Sequence, residues 1–330
     1  MKPLISVLLL TYNQENYIEQ ALRGALNQAC NFPYEIVLCD DHSTDSTLAI
    51  CQQYQQQYPE KIRLIANPVN KGVIDNYFDT LLMCEGKYIA DCAGDDFWTD
   101  PHKLQRQAEI LNTHPEVSLT YTDYCHYLQT SDTYIHHRQK DHTNGTDGLI
   151  MAKTHIYSLL NQNQAPFIFV GSSCFRKEFF LKQYKKYMDF FRNKTYTCED
   201  FQLVFFLLQA GPFYYEHRET TAYRIIDNSI SHPTNYRKLF QYTYGIFKLR
   251  TRLIAEFGFD ASHCQQFLNS IAIPLLSLTT SLKLKEEQTE IVNILKRIHH
   301  RPNWHVRIHL LIASCPALSW LFRKFKSNRQ

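Results

Sequence analysis

The sequence predicts an α/β fold: a mostly parallel sheet flanked by helices, followed by a helical C-terminal region. Three observations predict it. Short apolar runs alternate with helical stretches through the first hundred residues, the pattern of repeated β-α units joined by right-handed crossovers. The three most polar loops, TYNQEN, DDHSTDST and AGDDFW, each follow a strand end, where open α/β sheets bind ligands. Beyond Tyr236 the pattern is helical almost throughout.

Leu4 to Leu10 (LISVLLL) is a continuous, partly β-branched apolar run, as expected of a strand buried on both faces. From Glu15 to Gln28, Ile18, Ala21, Leu22, Ala25 and Leu26 recur at helical spacing. Tyr34 to Cys39 is a second strand, leading through a polar turn to a helix over Thr47 to Tyr58. Ile62 to Ala66 is a third strand, Ile74 to Cys84 a helix, and Tyr88 to Cys92 a fourth strand ending at AGDD. Lys103 to Thr113 reads as a helix and Val117 to Tyr127 as a strand. The polar stretch Gln129 to Gly148, with His136, His137 and His142, reads as a flexible loop without metal-ligand spacing. Ile168 to Arg176 is expected as a strand and Asp200 to Gln209 as a buried helix.

The chain has 330 residues and is 14% aromatic, which fits a packed protein with a substantial core. A formal net charge of only +3 excludes a nucleic-acid binder that relies on the charge of the whole chain. Ten cysteines lie scattered through apolar runs with no CxxC pair, so reduced, mostly buried thiols are expected. The N-terminal apolar run is seven residues long and is followed by no small-residue cleavage site, so it reads as a strand rather than a signal. No window supplies the ~20 apolar residues of a membrane span, and a soluble, cytoplasmic protein is the expectation.

The chemistry is concentrated in acidic residues at strand ends. Asp95 and Asp96 follow Gly94 at the end of the fourth strand, where adjacent carboxylates repel unless a cation joins them. Mg²⁺ or Mn²⁺, bound by one or two carboxylates and phosphate oxygens, meets that need. A solvated turn is the alternative, and Asp100, before Pro101, is expected only to cap the next helix.

The runs SVLLLTYNQENYIEQAL, EIVLCDDHSTDST, NKGVIDN and GKYIADCAGDDFWTDPHKLQRQ, in that order, resemble the family 2 glycosyltransferases of the Rossmann-like GT-A fold. The resemblance covers residues 4 to 113, and CEDFQL at 198 to 203 is similar to the family's Glu-Asp motif. It implies a GT-A domain over 1–235, with a nucleotide-binding half (1–115) and an acceptor half (116–235), before the helical region 236–330. The implied reaction is inverting transfer of a sugar from a nucleotide-diphosphate donor to a hydroxyl of a glycan or lipid-linked glycan.

By the same resemblance, Thr11, Tyr12 and Asn13 pack against the base, and Asp41 accepts from uracil N3–H, which makes the donor a UDP-sugar. Asn70 and Gly72 form the family's N-x-G turn, either touching the donor or acting as a plain turn, and Asn76 ties that turn to the sheet. Asp95 lies near the ribose and donor sugar, and Asp96 is the metal ligand; Gly94 stands where the family's Asp-x-Asp has its first Asp. Trp98 either stacks on a sugar or sits in the core. Asp200 is the implied general base, with Glu199 beside it near the sugars and raising the pair's pKa; both also suit a helix N-terminus as plain charges. Arg224 reaches a phosphate or lies on the surface.

The segment 305–326 mixes apolar and basic residues around Pro316. It suits peripheral contact with the inner face of a membrane, docking on the catalytic domain, or a homo-oligomer interface. The competing functional classes are a dehydrogenase or P-loop enzyme, and a non-catalytic nucleotide-sugar or glycan-binding protein of the same fold. No GxGxxG follows the first strand and no GxxxxGK[ST] occurs, which weakens the former; Asp41, Asp96 and Asp200 together argue against the latter.

Overall fold

The computed structural model describes residues 2–136, 147–161, 168–226 and 235–327. The first half contains β1 (Ile5–Thr11), α1 (Ile18–Leu26), β2 (Tyr34–Asp40), α2 (Thr47–Gln57), β3 (Ile62–Ala66), α3 (Val73–Met83), β4 (Tyr88–Ala93), β5 (Phe97–Trp98) and α4 (Lys103–Thr113). It continues through β6 (Leu119–Leu128), β7 (Thr133–His136), β8 (Gly148–Met151), α5 (Ile156–Asn161), β9 (Cys174–Arg176), α6 (Lys177–Lys186), α7 (Met188–Phe191), α8 (Asp200–Ala210) and β10 (Phe213–Ile225). The remainder is helical: α9 (Tyr236–Glu256), α10 (Gln265–Leu282), α11 (Lys285–Arg297), α12 (Trp304–Ser314) and α13 (Pro316–Ser327).

The strands form one sheet in the order β3-β2-β1-β4-β9-β6-β10-β5, with β7 on β6 and β8 on β10. β1 lies between β2 and β4 and runs parallel to both, so its apolar run is buried on both faces, as expected of a central parallel strand. Beyond β4 the sheet is mixed. β9 runs antiparallel to β4 and β6, β10 runs parallel to β6, and β5 pairs antiparallel with β10. This order has a local consequence: the chain leaves β4 and a few residues later pairs with β10, so the loop holding Asp95 and Asp96 is bracketed by both strands.

Several expectations change. The strand expected over Ile168 to Arg176 is restricted to β9, because Val170–Ser172 forms a 3₁₀ turn. The Ser172 and Ser173 hydroxyls donate to the Phe169 and Val170 carbonyls at 2.9 and 2.8 Å, diverting the backbone from the ladder. Within the expected loop Gln129 to Gly148, Thr133–His136 turns back onto β6, with Asp132 left-handed (φ 51°) and accepting from the Tyr127 hydroxyl at 2.6 Å. His137 and His142 lie outside the described residues. The thirteen-residue β10 has no counterpart in the sequence reading, because its polar centre, EHRETT, hides the strand alternation.

The chain divides into two compact units: Met1–Ile156, Pro166–Lys194 and Cys198–Ile226 form one, and Tyr157–Ala165, Thr195–Thr197 and Asp227–Gln330 the other. In the second unit, Asn235 caps α9 by accepting from Arg237 N and Lys238 N, and Asn303 caps α12 by accepting from Val306 N. All ten cysteines are free, and seven are buried. No described helix is long and apolar enough to cross a membrane.

Candidate active site

The ends of β1 and β2 are tied together by their polar loops. Thr11 is buried, and its carbonyl accepts from Asp41 N at 3.0 Å. Asn13, left-handed at φ 52°, donates its N–H to Ser43 Oγ (2.9 Å) and accepts from Thr44 N through Oδ1 (2.8 Å). Tyr12, between them, is 47% exposed, so its ring is open to a ligand.

The buried carboxylate of Asp41 organises a second loop. Oδ1 accepts from Asn67 Nδ2 (2.8 Å) and Lys71 N (2.9 Å), and Oδ2 accepts from Gly72 N (2.9 Å). Asn70 Nδ2 donates to the Asp41 carbonyl at 3.0 Å. Gly72 sits at φ 77°, the left-handed region that favours glycine. Asp41, Asn70 and Gly72 are therefore one knot, and Asn76 ties it to the sheet by accepting from Asn67 Nδ2 (2.8 Å) and Cys39 Sγ (3.0 Å). Asp40 and Asp45 hold the turn before α2, accepting from Ser43 N and Thr47 N at 3.0 and 2.9 Å. Asp100, expected only to cap α4, does something else: its Oδ1 accepts from His102 N at 2.8 Å in the turn before the helix, whose N-cap is His102, and its Oδ2 pairs with Arg106 Nη2 at 2.6 Å.

Gly94 has a steric reason to be glycine. A Cβ there would lie 2.9 Å from the Leu10 carbonyl and 2.9 Å from Thr11 Cβ. Gln14 Oε1 lies closer still, so a side chain at position 94 would need this loop and the end of β1 to move apart.

Asp96 is 3% exposed, and its Oδ1 accepts from Arg224 N at 2.7 Å, while its Oδ2 has no hydrogen-bond donor among the described residues. Asp95 is half-buried, and its carbonyl accepts from Arg224 Nε at 2.6 Å. Burial raises both carboxyl groups above the usual carboxylate range, and the charge of Asp95 raises Asp96 further. Two adjacent, poorly solvated carboxylates fit a hard divalent cation.

Arg224 corrects an expectation. It is 3% exposed rather than on the surface, and each nitrogen of its guanidinium already donates within the protein. Nη2 donates to Gln20 Oε1 at 2.6 Å and Nη1 to Gln129 Oε1, while the group lies 4.9 to 5.2 Å from the rings of Tyr17, Phe97 and Tyr127. It braces the acidic loop from behind. Trp98 is likewise a core residue: 4% exposed, with Nε1 donating to the Gly171 carbonyl (3.0 Å) and Lys103 Nζ 4.3 Å from its ring. No sugar can stack on it there.

Asp200 opens α8, whose run from Gln202 to Leu208 is buried. Phe206 of this helix packs on Tyr187, Phe190 and Phe191, and Phe191 packs on Phe78 of α3, an aromatic scaffold that fixes the helix end. Asp200 keeps exposed surface, and the protein packed around its carboxyl group at the start of α8 pushes it up to about 6. Burial, then the charge of Asp200, hold Glu199 well above the carboxylate range, so the two titrate as a pair.

Asp91, which the sequence reading passed over, adds a further buried carboxyl. It accepts from the Tyr77 hydroxyl at 2.7 Å, and burial pushes it up to about 7. Its signal was visible, a lone carboxylate inside the apolar strand YIADC. The charge of Asp200 is felt at both Asp91 and Asp96, although no hydrogen bond joins Asp200 to either among the described residues.

Residues 6–184 match the model of the glycosyl transferase family 2. Over 117 residues the chain is 43% identical to an uncharacterized protein of Mycobacterium tuberculosis, covering 36% of this chain and 34% of that protein. It is 37% identical over 112 residues to the putative glycosyltransferase EpsE of Bacillus subtilis, covering 34% of this chain and 40% of EpsE. The matched part thus spans well under half the length of these curated relatives. Among solved structures, S. aureus TarS 1-349 in complex with UDP-GlcNAc superposes with a TM-score of 0.61 at 20% identity, over 100% of this chain and 92% of TarS 1-349. That likeness shows the GT-A fold, and with the family match covering more than half of the sequence, the chain belongs to the family 2 glycosyltransferases.

Proposed function

We propose that the chain is an inverting, metal-assisted transferase that moves a sugar from a UDP-sugar to a hydroxyl of a glycan or lipid-linked glycan. One observation carries the reading: the adjacent carboxylates of half-buried Asp95 and buried Asp96 at the end of β4, with the raised carboxyl of Asp200 within electrostatic reach. Tyr12 stacks on the base, with Thr11 and Asn13 shaping its loop. Asp41 Oδ2, with one protein donor, keeps a lone pair for uracil N3–H. Asn70 and Gly72 reach the donor through the turn that Asp41 holds. TarS, which shares the fold, is complexed with UDP-GlcNAc, in keeping with a uridine donor.

Asp95 lies toward the ribose and sugar, and Asp96 Oδ2 holds Mn²⁺ or Mg²⁺. The cation, when bound, neutralises charge on the departing diphosphate. Asp200 removes the acceptor hydroxyl's proton as that oxygen attacks the anomeric carbon and the carbon–oxygen bond to UDP breaks, which inverts the centre. Glu199, coupled to Asp200, holds the pair's proton in balance near the sugars.

The acceptor reading draws on the C-terminal helices. Trp304, Ile308 and Leu311, at i, i+4 and i+7 of α12, are exposed, as are Trp320 and Leu321 of α13. After Glu290 the sequence contains eight Lys and Arg residues and no Asp or Glu. Exposed tryptophans in a basic, amphipathic setting suit the interface of an anionic membrane on the cytoplasmic side, where a lipid-linked acceptor would lie.

The test is to incubate the protein with a panel of nucleotide sugars and Mn²⁺ and follow nucleotide release, alone and with candidate acceptors. A uridine donor should be turned over and Asp96→Ala should abolish turnover. If no donor is bound or hydrolysed and Asp96→Ala changes nothing, the transferase reading is lost.

A further inference from the structure

Three strands remote from the acidic pair in sequence bring a thiol, an imidazole and a carboxylate to one point. Cys125 on β6 is directly opposite His136 on β7 in the antiparallel register. Glu219 comes from β10, whose pairing with β6 shifts register on both sides of it. Such irregularities re-aim side chains, and here the break turns Glu219 toward the other two. His136 Nδ1 lies 3.0 and 2.9 Å from the two Glu219 carboxylate oxygens, and one ligand atom from each of the three residues falls within 4.8 Å of the others.

The site is graded from wet to dry: the His136 side chain is 67% exposed, that of Glu219 is 30% exposed, and Cys125 is fully buried. Tyr134 stacks on His136 at 6.2 Å and limits the ring's swing. None of the three residues has a part in the proposed transfer.

We propose that Cys125, His136 and Glu219 form a binding site for a borderline transition-metal cation, Zn²⁺ by preference, with a fourth position left to water. The ligand set decides the metal: thiolate and imidazole favour Zn²⁺ over the Mg²⁺ or Mn²⁺ that suits Asp96, which offers only oxygen. On binding, the thiol proton passes to solvent as sulfur bonds the metal, and the His136–Glu219 hydrogen bond opens to admit the ion. Affinity therefore rises with pH, and each ion bound releases a proton. The bound ion would pin β7 to β6 and β10.

The test titrates the full chain, freed of metal, with Co²⁺ alone and follows the thiolate-to-cobalt charge-transfer band, then displaces the Co²⁺ with Zn²⁺. Wild type should bind one Co²⁺ with that band and lose it to one equivalent of Zn²⁺. Cys125→Ser should lack the band, and His136→Ala, a change at an exposed position that leaves the fold intact, should weaken binding at least about tenfold. Absence of the band in wild type, or an unchanged titration in His136→Ala, would reduce the cluster to a cross-strand His–Glu pair and overturn the site.

Discussion

Asp200 illustrates how a residue's surroundings set its chemistry. A carboxylate in water titrates near 4, but burial brings Asp200 up to about 6. The proposed base acts when ionised, so turnover should be constant above neutrality and fall as pH drops through about 6. A limb near 4 would contradict the assignment. Asp200→Asn should reduce kcat by roughly 10²- to 10⁴-fold with little change in donor affinity, measured by single-turnover kinetics and donor titration. The acidic residues were legible in the sequence because their chemistry sits in contiguous motifs. Arg224 was not, since its role depends on Tyr17, Phe97 and Tyr127, three rings brought from distant positions, and no spacing along the chain announces them. The hydrogen bonds of Asp41 were hidden for the same reason, its donors lying 26 to 31 residues further on.

At the scale of elements, the four parallel strands were readable because each is an apolar run bounded by turn residues. β10 was not, because a strand between two neighbours can keep polar residues through its centre when a bulge redirects them. The contact of β1 with the loop after β4 gives a direct test. Gly94→Ala should destabilise the protein by about 1 to 3 kcal/mol, since Gln14 Oε1 can swing away but the Leu10 carbonyl and Thr11 Cβ, each 2.9 Å from the new methyl, cannot. Thermal unfolding would report it, and an unchanged Tm would show that the loop shifts freely. Asp91 inside β4 makes a pH-dependent prediction. Its folded pKa, about 7, is raised, so its contribution to stability is present at low pH and lost as pH rises through about 7. Asp91→Asn should therefore gain Tm relative to wild type as pH rises from about 4 to about 7 and hold that gain above it; a difference that does not vary across this range would show that Asp91 is not held protonated by the fold.

Over the whole molecule, the C-terminal helices were expected from their periodicity, including the break at Pro316, and α12 and α13 flank it. What they touch was not legible, because an exposed apolar stripe reads alike for membrane, subunit or intramolecular docking. The membrane reading predicts co-sedimentation with anionic vesicles, weakened by salt and absent with zwitterionic ones. Replacing Trp304 and Leu311 by Ala should each cost up to about 1.5 to 3 kcal/mol of binding, read as a tenfold or greater rise in lipid concentration at half-binding. Equal binding to both vesicle types would contradict it. Finally, the brace on the acidic loop has a consequence for synthesis. Asp96 is held by a residue 128 positions later in the chain, whereas the Asp41 knot closes within 31. A chain emerging from the ribosome thus completes its base-side loop early and its acidic loop only once β10 has been made. On the proposed roles, the loop assigned to the base would be in place well before the loop assigned to the metal.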